Sequence, residues 1–111
     1  MHKVSLIVYR AKELTSAKQI FSKFLGVEPY VDSPYYVGFK VGDMEIGLDP
    51  NAQNAEPITY IDVADIKSSL QEMIALGATL LQDVKNVANG VLVATVKDKD
   101  GNILGFRQNT Q

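Results

Sequence analysis

The chain has 111 residues, 46% hydrophobic and 22% charged, a composition that fits one soluble domain long enough to bury a core. Eleven basic against thirteen acidic side chains give a net charge of -2, which leaves no basic patch of the kind nucleic-acid binding needs. The absence of cysteine excludes thiol catalysis, disulfides and Cys-ligated zinc, and the single His means that a metal would depend on carboxylates or on a second chain.

Lys3 to Tyr9 alternates as a strand, with Val4, Leu6 and Val8 on one face and Lys3, Ser5, Ile7 and Tyr9 on the other. The more uniformly apolar Val4 face is expected to meet a helix. That helix follows: Thr15 is placed to cap it, Ala17, Ile20, Phe21, Phe24 and Leu25 form one stripe, and Gly26 ends it. The Phe pair is expected to be core. Glu28 to Asp32 is a weak edge strand because of Pro29, and Ser33-Pro34 turns the chain. Tyr35 to Val41 is a stronger strand, Gly42-Asp43 a turn, and Met44 to Asp49 the return strand, with Met44, Ile46 and Leu48 opposite Glu45, Gly47 and Asp49. Pro50 to Pro57 has no apolar period and reads as a linker.

The pattern then repeats. Ile58 to Val63 is a strand. Asp65 caps a helix with the stripe Ile66, Leu70, Met73 and Ile74, and Gly77 ends it. Thr79 to Val87 is a strand, Asn89-Gly90 a hairpin turn, and Val91 to Val96 the next strand. Asp98-Lys99-Asp100-Gly101-Asn102 then turns into the last strand, Ile103 to Gln108. The two helix ends, Phe24-Leu25-Gly26 and Ala75-Leu76-Gly77, stand about fifty residues apart. Two copies at that spacing are too few for a solenoid. The order is βαβββ, linker, βαβββ: an α+β single domain of two pseudo-repeats, about 1–50 and 57–111, with the linker near 50–57. A ferredoxin-like sandwich is the runner-up and needs fewer strands after each helix.

This doubled order resembles the vicinal oxygen chelate superfamily, which includes glyoxalase I, bleomycin-resistance proteins and extradiol dioxygenases. The resemblance spans the chain. It rests on Val4-x-Leu6-x-Val8 before a helix, Phe24-Leu25-Gly26 at its end, Val63-Ala64-Asp65-Ile66 opening the second helix, and Asp98-Lys99-Asp100-Gly101-Asn102 with Phe106 beyond it. It implies two half-open sheets around a cavity. In enzymes of this kind a divalent metal there acts as a Lewis acid. The resemblance puts ligands just before the first strand of each module and on its last strand, which here means Lys3, Ile58, Gly47 and Gly105. None is a metal ligand as written except a deprotonated Lys3, whose ammonium form would repel a cation, so the expectation is no metal. Moving the first ligand to His2 requires a one-residue slip that would turn Val4 and Leu6 into the cavity. A displaced site of Glu45, Asp49 and Asp62, with oxygen ligands suited to Mg²⁺ or Mn²⁺, is the alternative.

Strand parity then gives the expected lining of the cavity: Lys3, Ser5 and Tyr9, Glu45 and Asp49, Tyr60 and Asp62, and Arg107. Gly47 and Gly105 would leave room in it. Tyr35, Tyr36 and Phe39 are further candidate surfaces, and an ion pair of Lys3 or Arg107 with Glu45 or Asp62 is the plainer expectation for the charges. The sequence carries no Ser-His-Asp set, phosphate-binding Gly loop or cofactor fingerprint. The first expectation for function is a metal-free, glyoxalase- or bleomycin-resistance-like protein that binds a small organic molecule. A lyase, isomerase or dioxygenase with an atypical metal site is the second, and a non-catalytic structural or regulatory subunit the third. A homodimer is expected from the resemblance and from the exposed sheet edges. The absence of a visible signal peptide or long apolar run points to a cytoplasmic protein with no membrane partner.

Overall fold

The computed structural model describes residues 1–109. Ten elements follow one another: β1 (Val4–Arg10), α1 (Leu14–Leu25), β2 (Val31–Asp32), β3 (Val37–Val41), β4 (Met44–Asp49), β5 (Ile58–Asp62), α2 (Ile66–Ala75), β6 (Thr79–Ala88), β7 (Val91–Lys97) and β8 (Ile103–Asn109). This is the α+β order of two βαβββ modules. The chain divides into two compact units, one of Ser5–Ile58 and the other of Met1–Val4 with the chain from Thr59 onward. The opening residues thus go with the second module, where the Lys3 carbonyl accepts the Asp62 amide at 2.9 Å. No helix among the described residues is long and apolar enough to cross a membrane.

In the first module the strands run β2-β3-β4-β1, and β1 lies parallel to β4 while the other pairs are antiparallel. Phe39, Leu48 and Val37 are fully or almost fully buried and form the core with Ile46 and Ala11. Leu14, Ala17, Phe21 and Leu25 of α1 pack on this core, as do Ile7 and Tyr9 of β1. The Phe21 ring stacks on Phe39 at 6.5 Å between centroids and meets Tyr9 at 5.1 Å.

This reverses the expected facing of β1. Both faces of that strand are apolar, so alternation alone does not say which one meets the helix. The neighbouring strand decides it. Ile7 pairs with Ile46 and Tyr9 with Leu48, two core residues, so Leu6, Val8 and Arg10 lie on the other face with Glu45, Gly47 and Asp49. The helix stripe is also narrower than its sequence suggests. Ile20 and Phe24 are exposed, because only the line through Ala17, Phe21 and Leu25 meets the sheet. Thr15 does not cap α1. The helix starts two residues earlier, at Leu14 with Glu13 at its N-cap, and no side chain supplies the cap. Gly26 does end it, in the left-handed region at φ 75°.

The second module repeats the first with strand order β5-β8-β7-β6, β5 being parallel to β8. Ile66 and Leu70 of α2 pack with Val63, Ala94, Val96 and Phe106, and Met73, Ile61 and Leu104 close around them. Asp65 caps α2 by accepting the Ser68 amide at 3.2 Å. Gln108 Oε1 of β8 accepts the Ile66 amide at 2.8 Å, so the last strand also ties down the start of this helix. Asn89 and Gly90 make the β6–β7 turn with positive φ at both residues. β6 is the outer strand and almost wholly exposed, and its pairing with β7 carries three irregularities.

Candidate functional site

The sheet face turned away from α1 gathers the chemistry of the first module. β3 and β4 pair Gly38 with Gly47 and Lys40 with Glu45, so these four residues share one face while Phe39 and Ile46 point into the core. Two tyrosines are delivered onto this face. Ser33 builds the turn for the first: its Oγ accepts the amides of Tyr35 and Tyr36 at 3.2 and 3.1 Å and donates to the Tyr36 carbonyl at 3.1 Å. The second, Tyr30, is fixed through its amide, which donates to the Gly38 carbonyl at 2.9 Å.

The two phenols converge on one carboxylate. Tyr30 donates its hydroxyl to Glu45 Oε1, and Tyr36 donates to Oε2. Hydrogen bonds to an ionised acceptor are the strong ones, so each side chain orients the other two. The floor of the cluster is bare backbone. A Cβ at Gly47 would overlap the Tyr36 hydroxyl and lie 2.7 Å from Tyr36 Cζ. A Cβ at Gly38 would stand 3.1 Å from both Glu45 Oε2 and Tyr36 Cε2. The Lys40 ammonium sits 5.0 Å from the centre of the Tyr30 ring. Among the described residues no cation lies within ion-pair distance of Glu45.

In the second module the face turned away from α2 carries Tyr60, Asp62, Thr95, Gly105 and Arg107. Arg107 Nη1 stands 3.9 Å from Asp62 Oδ1, the expected ion pair at the long end of its range. Tyr60 is buried and lies over Gly105, where a Cβ would be 2.7 Å from both Cγ and Cε2 of the ring. The room expected above Gly47 and Gly105 is therefore taken by Tyr36 and Tyr60.

The expected lining divides accordingly. Glu45 lies in the tyrosine cluster of one module. Tyr60, Asp62 and Arg107 share a face of the other. Tyr9 leaves the list, since its ring packs against Phe21 on the helix side. Ser5 shares the parity of Tyr9 and is buried. Asp49 lies on the Glu45 face but accepts the Asn51 amide at 2.8 Å, a local turn contact that accounts for its carboxylate. Lys3 precedes β1 and is exposed. Of the extra aromatic candidates, Phe39 is core, Tyr35 is exposed and Tyr36 reaches the site. Tyr30 was not among the expected residues. Tyr30 lies just before β2, where its ring comes close to Gly38, and the sequence signal for it was only a tyrosine following Pro29 at the start of the weak edge strand.

The residues at the positions where the resemblance implies metal ligands do not make a ligand set among the described residues. Two expected ligand positions are glycines covered by tyrosine rings, and Glu45 has both oxygens engaged by phenols. No group of three or more His, Cys, Asp or Glu side chains gathers among the described residues. β1 in fact turns Leu6 toward the Glu45 face, so facing alone does not set His2 aside. His2 nonetheless lies outside β1 and is exposed. Two grooves of about 330 and 430 Å³ run along α1 and β2, away from Glu45, and the Lys18–Asp32 ion pair at 3.0 Å lies on both.

No protein-family model matches the chain. No curated protein matches it. Solved structures do. A hypothetical protein from Bacillus halodurans matches at 17% identity with a TM-score of 0.79, over 99% of this chain and 96% of its own. A glyoxalase/bleomycin resistance protein/dioxygenase superfamily member from Vibrio splendidus matches at 16% identity and a TM-score of 0.72, over 98% and 99%. Methylmalonyl-CoA epimerase from Streptomyces coelicolor matches at 12% identity and a TM-score of 0.73, over 98% of each chain. The chain therefore has the vicinal oxygen chelate fold, along essentially its whole length. Identities this low establish the fold and leave function to the site.

Proposed function

We propose that this chain binds a small organic molecule on the face of the first module that carries Glu45, and does so without a divalent metal. The observation that supports this reading best is the replacement of space and ligands by tyrosine. Tyr36 and Tyr60 cover the two glycines, and the remaining carboxylate accepts a phenolic proton on each oxygen, where direct coordination of a metal would need those oxygens bare. A fixed carboxylate beside aromatic rings gives a ligand a polar anchor and flat apolar walls, the usual ingredients of a small-molecule site. One fold neighbour, the Streptomyces coelicolor epimerase, is solved with 2-nitronate-propionyl-CoA, so in that protein the fold accepts an organic ligand.

The test is the metal content of the purified protein together with calorimetric titration of Mn²⁺, Ni²⁺ and Zn²⁺. The expected result is no stoichiometric metal and no saturable heat. Metal near one per chain, lost in Glu45→Ala, would overturn the reading and make this an enzyme with a rebuilt site. We also propose that two chains pair. The long exposed outer strand β6, with Leu80, Leu81 and Val87 open, supports this, and light scattering that finds only monomer would refute it.

A further inference from the structure

We propose that the Glu45–Tyr30–Tyr36 cluster is an ammonium site, which takes the cationic amine group of its ligand, and that Lys40 is the resident cation the ligand displaces. The inference rests on the small-molecule reading above and adds the class of ligand. The geometry of Lys40 carries it. Lys40 and Glu45 are direct partners across β3 and β4, so their side chains leave the same face side by side. The plain outcome for such a pair is an ion pair. Instead the ammonium lies over the Tyr30 ring, and both Glu45 oxygens accept phenolic protons.

The cluster thus keeps a carboxylate whose charge is hydrogen-bonded but not paired, next to a ring face that already attracts an ammonium. A ring face presents negative potential to a cation. The carboxylate adds attraction of the same sign, and it repels a carboxylate or phosphate ligand. Gly38 and Gly47 let Tyr36 and Glu45 lie close against the sheet, and Tyr30 is half-exposed, so a head group approaches the carboxylate and the Tyr30 ring from the solvent side. Lys40 is exposed and its side chain is flexible, which lets it leave the ring when a ligand amine arrives.

The experiment uses four simple probes at equal ionic strength: n-butylammonium, tetramethylammonium, butyrate and butanol. Binding is read from the amide resonances of Gly38 and Gly47 and from the tyrosine ring resonances. The two ammonium probes are expected to move these signals saturably, and butyrate and butanol to leave them. Glu45→Gln should weaken n-butylammonium binding about tenfold. Lys40→Met, at an exposed position that threatens no folding, should tighten it about threefold or more by removing the competitor. Lys40→Met with unchanged or weaker binding would overturn the proposal. Butyrate or butanol saturating the same signals as well as the ammonium probes would overturn it too, while leaving the small-molecule reading intact. Silence of those signals to all four probes would remove both readings.

Discussion

The two modules share a backbone plan and differ in what they do with it. Each orders its strands the same way, and each has a glycine at the same place in its last strand, Gly47 and Gly105, with a tyrosine ring where a side chain would start. The rings come from different places. Tyr36 reaches its glycine from the turn before β3, whereas Tyr60 stands on β5 and covers its direct strand partner. Two residues earlier the chemistry separates: Glu45 in the first module, Ile103 in the second. The first face therefore holds a carboxylate between two phenols, and the second an ion pair beside a packed tyrosine. A duplicated backbone constrains where a side chain can project. It does not constrain which strand or turn sends one to fill the space.

The sharpest test adds one methyl group to each glycine. Gly105→Ala pushes into a buried ring fixed on a strand, and overpacking of this kind costs about 1–3 kcal/mol. Gly47→Ala meets Tyr36, which leaves from a turn and can swing aside, so it should fall at the low end of that range. Urea denaturation of both variants gives the order. In the double variant Gly47→Ala/Tyr36→Ala the cost should be less than the sum of the two single costs. Equal costs at the two glycines would mean that Tyr36 is as rigidly held as Tyr60, and the contrast between the modules would go.

Glu45→Gln comes next. The amide keeps one acceptor and turns a donor toward the other phenol, so one tyrosine must reorient and both bonds lose their charge assistance. Charged hydrogen bonds exceed neutral ones by about 1 kcal/mol, and the half-exposed position lets water take up part of the difference, so the loss in stability should be about 1 kcal/mol or less. Thermal melting would show it. A loss well above 2 kcal/mol would make the cluster a structural keystone rather than a binding site.

Much of this was legible beforehand, and the failures have physical causes. The βαβββ order and most element ends followed from alternation, stripes and turn residues. The second module's faces were also readable, since Tyr60, Asp62 and Arg107 alternate cleanly with the core residues Ile61, Val63 and Phe106. In β1 the facing was not readable, because Leu6 and Val8 are as apolar as Ile7 and only the pairing with β4 breaks the tie. The site itself was half legible. Glu45 stood out by parity. Tyr30 and Tyr36 lie in irregular chain whose direction depends on the Ser33 turn and on a single amide bond to Gly38, details that no period encodes.

The turns before β4 and β8 give a third contrast. Gly42-Asp43 is tight, whereas the longer turn before β8 is knit by Asp98. One Asp98 oxygen accepts the amides of Asp100 and Asn102 at 2.9 and 2.8 Å, and the other accepts the Asn102 side chain at 2.9 Å. The Asn102 side-chain bond, followed by the Asn102 amide, holds the Asp98 carboxyl below its ordinary value of 3.8. A carboxyl with a lowered folded-state value adds stability that is complete above its unfolded value and is lost as pH falls through the folded one. Asp98→Asn keeps the two backbone acceptances and removes the charge. Its acid melting curve should therefore fall less steeply below about pH 4 than that of the unaltered protein. Identical acid limbs would remove Asp98 from the account of this turn.

The smallest effect is expected at Arg107, and it bears on the contrast between the two faces. Arg107 and Asp62 meet at 3.9 Å with side chains 28% and 44% exposed, so water competes for both charges. An ion pair so placed contributes about 0–1 kcal/mol and weakens as salt is added. Arg107→Met keeps the aliphatic stem over the sheet and removes only the charge, so its melting temperature should shift little, and the remaining shift should shrink in 1 M salt. Ammonium probes should still bind at Glu45 in this variant, since the hydrogen bonds to its carboxylate come from Tyr30 and Tyr36. A cost above about 2 kcal/mol that persists in high salt would instead make the pair as structural as a buried network. The charged chemistry would then be shared between the modules, not concentrated on the face with Tyr30, Tyr36 and Glu45.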